Sequence, residues 1–222
     1  MRRRLLATTM GLGLIVTAMG FTGIYAVFTD RATTGTNSAE SAPQAKIADL
    51  KIATTITQDC TDGTYTDDLV SGIIAATDLQ PGGGTGFTVM CLRNAGSAAL
   101  DITMSAIDVV DTETDCTGDE VAAGDTTCGT GESQGELAPT LIVVASRLDC
   151  VTSATDLAIG PSLSAMAASP QAFGSLGPGE TACVWVRIQM AAAGQTGTTL
   201  ESIQQAQTDK VEWRFAFDGT QA

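Results

Sequence analysis

Six cysteines and one acidic stretch are the residues of this chain whose types and spacing could do chemistry. Cys60, Cys91, Cys116, Cys128, Cys150 and Cys183 are widely spread, and no two form a CxxC pair. A structural zinc site needs thiolates at close, paired spacing, so no metal is expected on these residues. If the chain is exported, as its first 26 residues indicate below, an even number of dispersed cysteines reads as three disulfides. One hint narrows their pairing. Leu50 to Cys60 is a strand-like run ending in Asp-Cys, followed by Pro81-Gly82 and a second run containing Cys91. Leu141 to Cys150 is another such run ending in Asp-Cys, followed by Pro178-Gly179 and a run containing Cys183. This loose internal repeat favours sequential pairing: Cys60–Cys91, Cys116–Cys128 and Cys150–Cys183.

The carboxylates concentrate in residues 111–136, a Gly-rich stretch that a Cys116–Cys128 bridge would close into a projecting loop. Asp111, Glu113, Asp115, Asp119 and Glu120 are weak calcium candidates. Their spacing does not match an EF-hand loop, because Gly118 falls in the wrong place. A solvated acidic loop is the plainer reading. Catalysis finds little support. The chain contains no histidine, which excludes HExxH zinc sites, Ser-His-Asp triads and Cys-His dyads. For a Ser-Lys pair only Lys46, Lys51 and Lys210 remain, and each reads as a solvated residue in or beside a strand. Gly82-Gly83-Gly84 lacks the Lys-Ser/Thr of a phosphate loop. No enzyme activity and no cofactor are expected.

Export is written at the start. Arg2, Arg3 and Arg4 precede an apolar run from Leu5 to Ile24, and small and aromatic residues lead to Ala26. This is the pattern of a secretory signal peptide, with cleavage expected between Ala26 and Val27. An uncleaved anchor is the alternative, since about 20 apolar residues can span a bilayer. Gly11, Gly13, Gly20 and Gly23 weaken such a helix, and no basic stop-transfer cluster follows. Without residues 1–26 the 222-residue chain keeps 196 residues, and 8 of its 11 basic residues face 25 acidic ones. A net charge of −17 repels nucleic acid and anionic membranes, so neither is an expected partner beyond the signal segment itself.

The elements that must position these groups read as strands. Residues 27–45 are rich in Thr, Ser and Ala, with only Val27 and Phe28 large and apolar. They form a tail, or a strand awaiting a partner. Residues 46–222 form the domain proper. Strands are expected at Ile47–Thr57, Phe87–Asn94, Leu100–Val110, Thr140–Leu148, Thr181–Met190 and Lys210–Asp218. In the fifth, Val184, Val186, Ile188 and Met190 share one face, and Trp185, Arg187 and Gln189 the other. In the last, Val211, Trp213, Phe215 and Phe217 share one face, which reads as core. Short helices are expected at Ser162–Ala168 and after a Thr198/Glu201 capping box. Strands separated by Gly/Pro turns, with little helix, indicate an all-β sandwich, jelly-roll-like or immunoglobulin-like.

Three stretches resemble the TasA/camelysin family of secreted bacterial biofilm matrix proteins. Gly23-Ile24-Tyr25-Ala26-Val27-Phe28-Thr29-Asp30 is similar to that family's signal junction, which SipW-type signal peptidases cut. Leu79-Gln80-Pro81-Gly82-Gly83 with Asn94, Gly96 and Ser97 is similar to its Leu-x-Pro-Gly-Asp and Asn-x-Gly-Ser segments. Val211 to Gln221 is similar to its final strand. The six cysteines and the acidic insertion depart from the pattern. The resemblance implies a jelly-roll-like antiparallel β-sandwich and a fibre subunit that homopolymerises by donor-strand complementation. In that scheme the freed N-terminus, Val27, Phe28, Thr29 and Asp30 onward, completes a sheet of the next copy. The competing expectations are a monomeric secreted or cell-surface binding module for calcium or carbohydrate, and a camelysin-like peptidase.

Overall fold

A computed structural model describes residues 29–33, 48–54, 60–61, 63–68, 74, 79–127, 131–132, 134–148 and 160–222. Within them the chain is mostly β, in two antiparallel sheets with a few short helices. The first sheet contains β1 (Thr29–Thr33), β9 (Lys210–Gln221), β4 (Leu100–Glu113) and β5 (Gly131–Glu132) in that order, and β7 (Gln171–Leu176) also pairs with β4. The second runs β2 (Leu50–Thr54), β3 (Thr88–Asn94), β8 (Thr181–Met190) and β6 (Leu141–Leu148).

Alternation with a period of two buries one side of each central strand. Leu50 and Ile52 of β2, Met90 and Leu92 of β3, and Val184, Val186 and Ile188 of β8 come from the second sheet. Leu100, Ile102 and Met104 of β4 with Phe215 and Phe217 of β9 come from the first, and all belong to one buried cluster. Each such side chain contributes about 1.5–3 kcal/mol by leaving water. The aromatic row of β9 is therefore core, as its sequence suggests. Phe217 meets Phe173 edge-on at 6.0 Å, and Trp213 meets Phe215 at 6.2 Å.

Expected and observed elements differ in instructive places. The first domain strand is the shorter Leu50–Thr54; Ala48 and Asp49 are not part of it, and Ile47 and residues 55–57 lie outside the described residues. β7 has no counterpart in the sequence reading. Gln171-Ala-Phe-Gly-Ser-Leu has no β-branched residue, and the strand forms because β4 offers it an edge. The expected cap at Thr198/Glu201 is displaced by one residue. Thr199 caps α4 (Leu200–Gln205), and its partner is Ser202. The short helix α3 (Leu163–Ala168) starts as expected, with Ser162 Oγ accepting from Ala165 N.

Trp185 keeps the face assigned to it, but that face is covered. It is 5% exposed because Cys60 and Tyr65 pack over the outer side of the second sheet. There Trp185 packs with Ala53, Cys60, Cys91, Cys183, Tyr65, Phe87 and Val89 in a second small core. Phe87 touches it edge-on at 6.1 Å, and the Arg187 guanidinium lies 5.0 Å from the Phe87 ring centre.

Asn94 gives the Asn-x-Gly turn a structural meaning. It is fully buried. Its Nδ2 donates to Ala98 O at 2.7 Å and Leu176 O at 3.0 Å, while Oδ1 accepts from Gly96 N at 3.0 Å. One side chain thus ties the β3–β4 turn to the end of β7. Asn94→Ala leaves these backbone groups short of partners and is expected to lower stability by about 3 kcal/mol. Urea denaturation checks this, and a loss under about 1 kcal/mol would mean that water replaces the clamp.

A bulge in β4 has the largest consequence for function. Ile107 pairs with Arg214 but Val110 pairs with Glu212, so β4 carries one extra residue. Asp108 takes a left-handed φ of 51° there, a conformation that Asp tolerates better than most residues, and pairs with Arg214. Before the bulge the even-numbered residues point inward. After it Val109 packs against the core and Glu113 is fully buried. The extra residue therefore turns the odd-numbered positions inward.

Candidate functional site

Residues that the sequence reading grouped together part company in the fold, and others far apart converge. Thr29 and Asp30 of the expected donor strand lie in β1, while Ala26, Val27 and Phe28 lie outside the described residues. β1 runs antiparallel to the end of β9, with Thr29 opposite Thr220 and Thr33 opposite Ala216. It occupies the outer edge of the first sheet. Both edges of the second sheet are closed differently. Thr66 bridges to Ile52 of β2, and Val143 N of β6 donates to Pro161 O at 3.0 Å. In the first sheet the β9 edge is covered by β1 of the same chain.

One of the three expected cysteine pairings falls within the described residues. Cys60 and Cys91 are disulfide-bonded. Cys116 and Cys183 are disulfide-bonded too, while Cys128 and Cys150, their expected partners, lie outside the described residues. The two repeat halves lie side by side, since Cys91 is the register partner of Cys183 across β3 and β8. Cys60 Sγ is 2.8 Å from Cys183 Sγ.

The described part of the acidic segment is solvated at Asp115 and Asp119 but also holds buried groups at Glu113 and Glu120. β4 extends through it to Glu113, and α1 (Gly118–Ala122) packs back on the fold. Of the five calcium candidates, Asp115 and Asp119 are exposed. Glu120 is buried for another reason: it completes a capping box with Thr117. Its Oε2 accepts from Thr117 N, and its Oε1 accepts from Thr208 N at 2.9 Å. Burial opposes its charge, but these hydrogen bonds outweigh it and hold the carboxyl below the usual glutamate range. The Thr-x-x-Glu spacing of Thr117 and Glu120 was a legible signal for this role.

Asp111 and Glu113 are joined instead by Glu136 and Asp209, which the sequence reading missed. Glu136 precedes the short helix α2 (Leu137–Thr140), and Asp209 precedes β9. Carboxylate oxygens of Glu113, Glu136 and Asp209 lie within 4.8 Å of one another. Each of the four carboxyls spends one oxygen on the protein. Asp111 Oδ2 accepts from Ala138 N at 2.7 Å, and Glu113 Oε1 from Asp115 N at 3.0 Å. Glu136 Oε1 accepts from Thr127 Oγ1 at 3.0 Å, and Asp209 Oδ2 accepts from Glu136 N. The other four oxygens, Asp111 Oδ1, Glu113 Oε2, Glu136 Oε2 and Asp209 Oδ1, are buried without a hydrogen-bond partner. Gly135 allows this approach, since a Cβ there would stand 2.7 Å from Asp111 Oδ1.

Burial, together with repulsion from Glu113, Asp111 and Glu136, pushes the Asp209 carboxyl up to about 7. Burial raises Asp111 and Glu136 as well. Folded Asp209 thus keeps a proton that the unfolded chain releases near 3.8. Stability from this group is complete below that value and is lost as pH rises toward 7. Glu120 acts in the opposite direction, losing its contribution below 4.5. Thermal unfolding in chelator-containing buffer is therefore expected to show a higher Tm at pH 5 than at pH 8. An unchanged or rising Tm over that interval would mean that the cluster is not repulsive.

Asp209 also lines a cleft of about 410 Å³, together with Leu79, Pro81, Leu137, Ile203 and Thr208. No described lysine serves this region. Lys51 pairs with Asp49 at 3.0 Å and with Asp67, and Lys210 pairs with Glu212 at 2.8 Å. Burial disfavours the Lys51 ammonium, but its two aspartates prevail and hold it above the usual lysine range. A Ser-Lys general base needs the reverse shift. Lys46 lies outside the described residues. Among the described residues no helix is long and apolar enough to cross a membrane.

These features define a two-sheet β protein with β1 paired along β9 at a sheet edge and a buried carboxylate cluster. No family model matches the chain, and neither a curated protein nor a solved structure matches it.

Proposed function

We propose that this chain is an exported, non-enzymatic structural subunit that polymerises when the N-terminal strand of one copy occupies the β9 edge of the next. The observation that carries this reading is the pairing of β1 with β9 along five residues. Thr29-Asp-Arg-Ala-Thr33 contains no large apolar side chain. Such a strand attaches through its main chain, and a main-chain edge accepts the same segment equally well from a second copy. The 14 residues from 34 to 47 reach about 45 Å when extended, enough to lead β1 to a neighbour. The monomer is then the self-complemented form, and the fibre is its strand-exchanged counterpart.

The reading keeps the jelly-roll-like sandwich and the TasA/camelysin resemblance as its frame. A SipW-type peptidase cleaving after Ala26 frees Val27 and Phe28 and couples export to assembly in the extracellular or cell-surface matrix. N-terminal sequencing should return Val27. The deciding experiment is size-exclusion chromatography with negative-stain imaging of the mature protein. Fibres are expected. A strictly monomeric protein at every concentration and pH tried would turn the reading to a secreted binding module, and chelator-sensitive casein cleavage would turn it to a peptidase.

A further inference from the structure

We infer that Glu113, Glu136 and Asp209, with Asp111 beside them, hold one Ca²⁺ ion. Acidic residues alone would not carry this. Glu113 does, because it is fully buried and its Oε2 has no partner. Burying an ionised carboxylate oxygen without a hydrogen bond or a counter-charge is costly, and native folds avoid it. Here four such oxygens are buried together, and no lysine or arginine forms an ion pair with them among the described residues.

The geometry fits a hard cation. Two oxygens on one Ca²⁺, each about 2.4 Å away, stand at most about 4.8 Å apart. The oxygens of Glu113, Glu136 and Asp209 meet that limit. One oxygen of each carboxylate accepts from Asp115 N, Thr127 Oγ1 or Glu136 N, so each ligand group is already oriented. The donor set is all oxygen. The neighbouring sulfur, Cys116 Sγ, is in a disulfide and offers no thiolate for zinc. An all-carboxylate set suits Ca²⁺, which takes six to eight oxygens in flexible geometry, better than the strict octahedron of Mg²⁺. Asp209 reaches the cleft, which supplies the ion's path from solvent. Bound there, the ion joins the end of β4, the start of α2 and the start of β9.

The test uses the mature protein stripped with EDTA and returned to chelator-free buffer at pH 7.5. Calorimetry with CaCl₂ should show one site, with a Kd between about 10⁻⁶ and 10⁻³ M. Thermal unfolding in 10 mM CaCl₂ should rise by about 5 °C, and 10 mM MgCl₂ should give less than half of that. Asp209→Asn should weaken binding at least tenfold while its metal-free Tm holds or rises, because one repelling charge is gone. That combination separates a lost ligand from a misfolded protein. Asp119→Asn, in an exposed carboxylate outside the cluster, should bind as the parent does. Absence of heat and of a Tm shift at 10 mM CaCl₂ would overturn the inference. So would an equal response to Mg²⁺, or undiminished binding by Asp209→Asn. The readout is on the monomer, so it stands apart from fibre formation.

Discussion

Deleting residues 27–36 is expected to abolish fibre formation and leave a folded monomer. The described core runs through β2, β3, β4, β6, β8 and β9, whereas the deleted segment meets β9 along an edge. Its loss removes main-chain hydrogen bonds worth about 0.5–1.5 kcal/mol each, which a domain with a core of this extent can lose and still fold. Assembly has no such reserve, because the strand is the link between copies. Val27→Asp and Phe28→Asp should weaken polymerisation if those side chains enter acceptor pockets. The truncated protein also offers a positive test. With its β9 edge vacated, it should bind a synthetic peptide of residues 27–36 in trans. Chromatography and negative-stain imaging read the first result, and fluorescence anisotropy of the labelled peptide reads the second. Fibres from the truncated protein would sink the strand-exchange reading.

Replacing Cys91 alone by serine is expected to do more damage than replacing Cys60 and Cys91 together. The double variant loses one bridge that closes a 31-residue separation, worth about 3.5 kcal/mol in the chain-entropy account. That corresponds to a fall in Tm of about 10 °C for a chain of this length. The single variant leaves a Cys60 thiol where its sulfur stands 2.8 Å from that of Cys183, which is itself disulfide-bonded. During oxidative folding the Cys60 thiolate attacks the Cys183 sulfur. A Cys60–Cys183 bond forms, and the former partner of Cys183 leaves as a thiolate, with no oxidant needed. Two native bridges are then replaced by one non-native bridge. Non-reducing peptide mapping should find Cys60 joined to Cys183 in the single variant and the Cys183 bridge intact in the double. A single variant that keeps the original Cys183 bridge would show the sulfurs to be neighbours without exchange.

Much of the fold was legible in the order of residues, because an inward-facing strand repeats every two positions. Of the five later strands expected between Phe87 and Asp218, two were found by that alternation and three by apolar runs and flanking turns, and the Cys60–Cys91 bridge by the Asp-Cys repeat. β7 was not, since what makes it a strand is the open side of β4 rather than its own side chains. Trp185 sat on the correct alternate face, but alternation does not say what lies beyond that face. The carboxylate cluster was half visible: Asp111 and Glu113 stood out as acidic residues in a row. The row itself misled. Neighbours in sequence such as Asp115 and Asp119 point to solvent, while Glu136 and Asp209 arrive from elements that no local period connects to β4. One extra residue between Ile107 and Val110 changes which side of β4 faces inward. The sequence determines the charge and most of the strands. Only the tertiary structure decides that two of those charges turn toward the interior, because a register shift belongs to a pair of strands and cannot be read from either one alone.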